Sequence, residues 1–265
     1  MANLRIISLG WGVQSWTLAA MTALGELEPV DYAIHADTTY EHAGTYAHAK
    51  KWAPWLGEQG VKVVTVTARR VDVVREEWAN AVSIPAFTTD TQTGARGQVR
   101  RQCTHDWKIA PIRQYLRQVM TERGIKATPG AVHSLQGISL DEWTRMRDSD
   151  VKYIENVYPL IDARMTRAEC KAWLERNHLP VPVKSSCVFC PYKSIPVWKD
   201  MKRRGGPDWQ VAEAVDANIR DRRASAGNLL YVHPNRKPLS EAVKIPEDEG
   251  AQQLELPCDS GFCMT

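Results

Sequence analysis

Leu4-Arg5-Ile6-Ile7-Ser8-Leu9-Gly10-Trp11-Gly12-Val13-Gln14-Ser15 decides how the rest of the chain is read. Its first half is an apolar run of β-favouring residues. Its second half is a turn bracketed by Gly10 and Gly12 that passes into the helical pattern Trp16-Thr17-Leu18-Ala19-Ala20-Met21. Strand, glycine turn and helix in that order present backbone N–H groups, at the positive end of a helix dipole, to a phosphate. Gly10, Gly12 and Ser15 are small enough to let an anion approach, and Ser8 adds a hydroxyl donor. The turn is neither a GxxxxGKS/T loop nor a complete GxGxxG, because no lysine follows and the third glycine is missing. On spacing alone, a tight turn without a ligand fits the same residues.

Working outward, a second short strand over 32–36 ends in Asp37-Thr38-Thr39. A helix follows over 44–59, with Tyr46, Ala49, Trp52 and Ala53 on one face, Pro54 as a point of kinking and Gly60 as its stop. A third strand covers 61–67. Strand and helix alternating in this way predict βαβ crossovers and a parallel sheet, whose binding sites lie at the carboxyl ends of the strands. The turn from Gly10 to Ser15 and the acid Asp37 both fall there.

Beyond this half, 70–81 reads as helix, and 83–97, rich in Thr, Gly, Pro and Asp, as a loop that can serve as a flap. Ile112, Leu116 and Val119 space a helix over 109–123, ended by Gly124. Further strands are expected over 131–135 and 153–158, and Thr166-Arg167-Ala168-Glu169 is a capping box for a helix up to 177. From Leu179 the texture changes. Pro180, Pro182, Cys187, Cys190, Pro191 and Pro196 exclude regular helix or central strand, and two short helices over 197–203 and 209–224 precede an acidic tail. The expected organisation is a nucleotide-binding α/β domain over 1–180, Rossmann-like with a mostly parallel sheet flanked by helices, and a small cysteine-bearing region over 181–265.

Hydrophobic residues at 43% and charged residues at 25% exclude a disordered chain. No apolar run approaches the roughly 18 residues of a membrane span, and Met1-Ala2-Asn3 runs into a strand without a leader pattern, so a cytoplasmic protein without a membrane partner is expected. A net charge of +3 does not by itself call for a polyanion. Arg100-Arg101, Lys202-Arg203-Arg204 and the stretch Arg220 to Arg223 can form either a basic face or solvated helix surfaces.

Six cysteines in such a chain point to metal or redox chemistry rather than to a disulfide framework. Cys187-Val188-Phe189-Cys190 has the gap that lets two thiolates face one metal, and it sits in a proline-rich loop. Cys170 lies within a predicted helix and reads as a small core residue. The pair Cys258 and Cys263 can complete a metal site or supply a tail thiol.

Taken in order, these pieces resemble the adenine nucleotide alpha hydrolase superfamily, the PP-loop ATP pyrophosphatases, and within it the phosphoadenylylsulfate (PAPS) reductase-like branch. The superfamily pattern SGGxDS falls on Gly10 to Ser15, with Trp11 in place of a glycine and Gln14 in place of the aspartate. Asp37-Thr38, with Glu41 and Thr45-Tyr46 behind it, is similar to the family's DTG…ET segment. Cys103-Thr104, Lys108, Pro111 and Ile112 resemble its CTxxxKxxP segment, and Gly137-Ile138, Asp141-Glu142 and Arg145 its glycine-to-arginine turn. Tyr158-Pro159-Leu160, Leu179-Pro180 and the Cys187 and Cys190 pair follow in family order, so the resemblance spans residues 4 to 195.

The resemblance implies a HUP-type fold with ATP across the sheet edge and its phosphates on Ser8, Gly10, Trp11, Gly12, Gln14 and Ser15. Asp37 and Thr38 would hold adenosine or Mg²⁺, Gly137 would line the site, and Lys108, Arg101 and Arg145 would neutralise phosphate. Cys103, Cys187 and Cys190 would bind a [4Fe-4S] cluster with Cys258 or an open iron as fourth position; Zn²⁺ is the alternative. Cys263 would carry sulfur. The implied activity is ATP-dependent sulfur transfer, in which a substrate such as tRNA or DNA is adenylated and then receives sulfur from a donor such as a cysteine desulfurase or sulfide. A sulfonucleotide reductase is the alternative, although the chain's ending lacks the reductases' ECG-like tail. A nucleotide- or nucleic-acid-binding module with structural zinc is the third reading, and a homodimer is compatible with each.

Overall fold

The computed structural model describes residues 4–68 and 82–245. Three segments fall outside them: the first three residues, the stretch 69–81 with the expected helix over 70–81, and the tail with Cys258 and Cys263. The chain forms two compact units. The first contains 4–68 and Trp107–Ser185, and the second contains 82–106 and 186–245. The segment 82–106, expected within the first domain, is thus grouped with the C-terminal region.

In the first unit, strands β1 (Leu4–Ser8), β2 (Tyr32–Asp37) and β3 (Val63–Thr67) form one half of a five-stranded sheet of order β3-β2-β1-β6-β7. The order counts the second unit's β4 (Phe87–Asp90) and β5 (Arg96–Gln98); β6 is Val132–Leu135 and β7 is Ile154–Val157. Every pairing in this sheet is parallel. The expected Rossmann-like α/β class is therefore the observed one. β1 is central, and its residues feed two cores. Leu4 and Ile6 pack with Tyr32, Ile34 and Val132 against α3 (Ala110–Glu122), while Ile7 packs with Ala33 and Leu135 on the opposite side. A strand covered on both faces must be apolar at consecutive positions, which is why the run Ile6-Ile7 shows no alternation.

On that opposite side lie α1 (Val13–Ala23), α2 (Ala43–Glu58), the short α4 (Pro159–Asp162) and α5 (Arg167–Arg176). Both helix starts read from sequence are borne out in kind: α1 follows the glycine turn, and Thr166 caps α5 in a reciprocal box with Glu169. α2 carries Pro54 within its length and packs the partly buried stripe of Ala49, Trp52 and Ala53 against this core. Cys170 is fully buried in this core, and burial pushes its thiol up to about 12, as suits a structural residue.

The second unit holds a three-stranded antiparallel sheet of order β5-β4-β8, with β8 at Asn228–Tyr231, and helices α6 (Ile195–Arg204), α7 (Pro207–Ile219) and α8 (Leu239–Ala242). The loop expected over 83–97 is corrected here. It contains a β-hairpin whose turn is made by Asp90, which accepts hydrogen bonds from the amides of Gln92 and Thr93 and from the Thr93 hydroxyl, and by Gly94 at φ +69°. The Asp, Thr and Gly that read as loop are the turn residues of that hairpin. Asp216 is the unit's internal staple: its buried carboxylate takes the amides of Val232 and Leu239 and pairs with Arg220, whose guanidinium lies 3.7 Å from the Tyr231 ring centroid. Lys202 donates to the carbonyls of Ser240 and Val243, and Arg204 pairs with Asp200. Members of the basic clusters are in this way engaged within their own unit.

An aromatic cluster occupies the first unit's core beside the turn. Trp11 lies 6.0 Å from Trp16 and 5.7 Å from His48, and Trp16 continues to Trp52 and Trp55 at 5.4 and 5.9 Å between ring centroids. Trp11 holds φ +56°, the left-handed region that glycine adopts without steric cost. That conformation costs roughly 1–2 kcal/mol, whereas deleting a buried indole costs roughly 3–5 kcal/mol. Trp11→Gly is therefore expected to destabilise the protein by about 2–3 kcal/mol in urea unfolding, despite supplying the residue with the easier backbone.

His48 in the same cluster has a buried Nε2 without a partner among the described residues, and burial, with a smaller effect from Lys51, brings its pKa down to about 4. Burial lowers His35 as well. A histidine whose folded value lies below its unfolded one binds protons preferentially in the unfolded chain. Stability is accordingly expected to fall as pH drops from the unfolded value of 6.5 towards 4, and to level off below. His48→Phe should reduce the loss of urea midpoint between pH 7 and pH 4.5; an unchanged loss would remove His48 as its source.

Candidate functional site

β2 and β3 lie on one side of β1, and β6 and β7 lie on the other. The chain thus reverses its direction of travel across the sheet at β1, and a crevice opens at such a switch point, outside the carboxyl ends of the strands. The ends of β1, β2 and β6 bring the Gly10–Ser15 turn, Asp37 and Gly137 to this edge.

The turn is closed by its own residues. Leu9 donates its amide to the Ile34 carbonyl at 2.9 Å, and the His35 Nδ1 lies 3.0 Å from the Leu9 oxygen. Ser15 Oγ accepts from the Gly10 amide at 3.1 Å and donates to the Gly12 carbonyl at 3.3 Å. Gln14 is buried, with its Nε2 on Ser139 Oγ at 3.4 Å and its Oε1 accepting from Arg167 at 2.7 Å. The side chains of Trp11, Gln14 and Ser15 therefore brace the turn. What the turn offers an anion is backbone: α1 starts at Gly12 with no side-chain cap, and first-turn amides have no partner inside their helix. Ser8 closes β1 opposite Ile34, partly exposed.

Gly137 forms the facing wall. A Cβ there would lie 2.7 Å from the Ser15 amide nitrogen and 2.9 Å from its Cα, so backbone lies on backbone and only glycine fits. The six-residue 3₁₀ segment Leu140–Arg145, kinked at Glu142, follows, in which Arg145 pairs with Glu142; Arg145 Nε is buried and has no partner among the described residues.

At the end of β2, Asp37 Oδ1 accepts from the Thr39 amide at 2.7 Å and from the Tyr46 hydroxyl at 2.8 Å. Tyr46 in turn accepts from the Glu41 amide at 3.2 Å. Burial first, and the bond to Asp37 second, raise the Tyr46 pKa, so the phenol stays a donor at neutral pH. The Glu41 side chain is 1% exposed. Its Oε1 receives Thr38 Oγ1 at 3.4 Å and Lys108 Nζ at 3.3 Å, and its Oε2 receives Ser185 Oγ at 3.3 Å. Lys108 stands in the π-helical turn His105–Ile109 that leads into α3. Ser185 Cβ lies 3.6 Å from where a Cβ on Gly12 would be, which brings this polar cluster against the N-cap of α1.

Asp37, Thr38 and Lys108 are thus placed at one edge with the turn and Gly137. Ser185, Ser139 and Arg167 were missed by sequence reasoning, because they reach the site from far along the chain, the last two by way of Gln14, and carry no local signal. Tyr46 and Glu41 had one, their spacing behind Asp37.

No protein-family model matches the chain, and no curated protein matches it. Among solved structures, the chain is similar to a phosphoadenylyl-sulfate (PAPS) reductase from Candida auris, crystallised as a phosphate complex. The match covers 68% of this chain and 75% of that one, at 16% identity and a TM-score of 0.43. That likeness concerns the fold alone.

Cys103, Cys187 and Cys190 all belong to the second unit and are partly exposed. The Cys103 amide bonds to the Ser83 carbonyl at 2.9 Å, and two successive turns carry Cys187 to Cys190 and Cys190 to Lys193. Burial raises the pKa of Tyr192, Arg101, 5.7 Å from its ring centroid, opposes the rise, and Cys190 and Cys103 add smaller contributions to it. Among the described residues, no group of three or more His, Cys, Asp or Glu side chains is arranged to hold a metal ion. Mg²⁺ held chiefly by substrate phosphates needs only one or two carboxylates, and Asp37, whose two hydrogen bonds both go to Oδ1, fits that demand. No described helix is long and apolar enough to cross a membrane.

Gly137→Ala is expected to destabilise the protein by roughly 1–3 kcal/mol, because the atoms met are backbone and cannot rotate away. Gly97→Ala meets only the Thr88 hydroxyl, at 2.8 Å, which can turn aside, and should cost less in the same urea titration.

Proposed function

We propose that the first unit binds an adenine nucleotide across the carboxyl edge of its sheet and that the protein is an ATP-dependent sulfur transferase acting at the α-phosphate. The observation that supports this best is the convergence, at one switch point, of the uncapped start of α1 with the Asp37, Lys108 and Glu41 cluster. Backbone N–H groups and a lysine at one edge are a set of donors for a polyanion, held in place before it arrives.

In the first step an oxygen of the acceptor attacks the α-phosphorus of ATP, the bond to the bridging oxygen of the β-phosphate breaks, and pyrophosphate leaves. The amides of α1 and the Lys108 ammonium balance the charge that builds on the phosphate oxygens. Mg²⁺ bound with the phosphates would supply further charge neutralisation, with Asp37 as its protein ligand. Gly137 and the buried Trp11 indole wall the turn and exclude water behind it. In the second step hydrosulfide from a sulfur donor attacks the atom that carries the adenylyl oxygen, and AMP leaves with that oxygen. Neither step is routed through an iron–sulfur cluster or zinc.

Pyrophosphate release from ATP tests this reading, with tRNA, DNA and no acceptor as separate arms. Asp37→Ala and Lys108→Ala are each expected to lower it by about 10²-fold, the usual effect of losing one preorganised charge or donor. A protein that releases no pyrophosphate from ATP but reduces an adenylylated sulfate at the expense of a dithiol would be a sulfonucleotide reductase instead. A protein that binds ATP and turns over neither would be a binding module.

A further inference from the structure

Glu41 is a carboxylate with 1% of its side chain exposed, and among the described residues of its unit it is the one buried acid. Removing such a charge from water costs several kcal/mol unless every lone pair is matched. Here the match comes from three separate places: Thr38 at the end of β2, Lys108 in the π-helical turn before α3, and Ser185 in the segment that closes the first unit. No strand ladder joins these three to one another. Ser185 also rests against Gly12, the N-cap of α1. One carboxylate thus links the phosphate turn, the β2 end and the lysine. Its bonds are 3.3–3.4 Å long, at the loose end of the hydrogen-bond range, as is common where a site tightens only on binding its ligand.

We propose that Glu41 is the positioning residue of the site: it fixes the Lys108 ammonium in place and charged, and it sets Ser185 against the start of α1. Glu41 acts through Lys108 rather than on the nucleotide. This rests on the nucleotide site proposed above, and the test separates the two. A core ion pair without such a role would be served equally by any pair of residues that filled the same space.

Glu41→Gln keeps the shape and removes the charge, and Glu41→Asp keeps the charge on a shorter arm. The first measurement needs no activity. Labelling of Lys108 by an amine-reactive reagent at fixed pH, mapped by peptide mass spectrometry, reads how much of the amine is neutral and accessible. Glu41→Gln should raise it about tenfold, the effect of losing one opposite charge at hydrogen-bond distance, and Glu41→Asp should bring it back towards wild type. Circular dichroism and urea midpoints identify a variant that has merely unfolded, and in that case the Glu41→Asp and wild-type labelling profiles across pH decide. Equal labelling in all folded variants overturns the proposal.

The second measurement is pyrophosphate release. Glu41→Gln should raise KM for ATP and lower kcat in wild type, yet cost little more in a Lys108→Ala background. Independent, multiplying losses in the double variant overturn the proposal. Wild-type protein that neither binds ATP nor releases pyrophosphate removes the nucleotide reading while leaving the labelling result to judge the link between Glu41 and Lys108.

Discussion

The left-handed backbone of Trp11 is the constraint on which the rest of the edge depends. A bulky residue held at φ +56° persists only where packing over-determines it, and here the indole is wedged among Trp16, His35 and His48. That packing sends the chain from β1 into α1 at one angle. The direction of α1 then decides where its amides point, where Gln14 meets Arg167 and Ser139, and how near Gly137 can come to Ser15. A residue that departs from the glycine pattern thus supports the same turn by a different physical means: glycine adopts the conformation at no steric cost, and tryptophan is pinned into it from the core.

A second pattern is the way polar side chains of the turn are bound before any ligand comes. Ser15 closes the loop, Gln14 is gripped at both ends, and Tyr46 is kept protonated by burial and by Asp37. Such commitments lower the reorganisation that binding would otherwise require, since groups already aimed and satisfied need not be drawn out of water. In the second unit, too, Arg220, Lys202 and Arg204 hold carboxylates and helix-end carbonyls of their own unit.

The parallel sheet was legible because strands buried on both faces leave consecutive apolar residues, as Ile6-Ile7 in β1 and Tyr32-Ala33-Ile34 in β2 do, and because strand and helix patterns alternate between turn residues. The capping box at Thr166 and Glu169 was equally plain, being a purely local device. The hairpin of β4 and β5 was not, since Arg96-Gly97-Gln98 is an exposed three-residue strand whose identity comes from its partner. β8 was hidden for the same reason, being defined by pairing with β4 more than 130 residues earlier. In the site, Asp37 and Lys108 stood out by motif, whereas the role of Gln14 lay in partners 125 and 153 residues away, and that of Ser185 in a carboxylate 144 residues back. Spacing along a chain announces residues that share an element; it is silent about residues that meet only across a core.

The central place of β1 also has a consequence during synthesis. Its pairing with β2 joins near neighbours, Ile6 with Tyr32, but its other edge waits for β6, where Leu4 meets Val132. At ordinary rates of translation that interval is on the order of ten seconds, and through it a hydrophobic edge with unpaired N–H and C=O groups stands ready to join any other strand. The first three strands can assemble on the ribosome as a half-sheet, and completion belongs to a later stretch of the message. The contact of Gly137 with Ser15, on which the carboxyl edge of the sheet closes, comes into being only at that later moment.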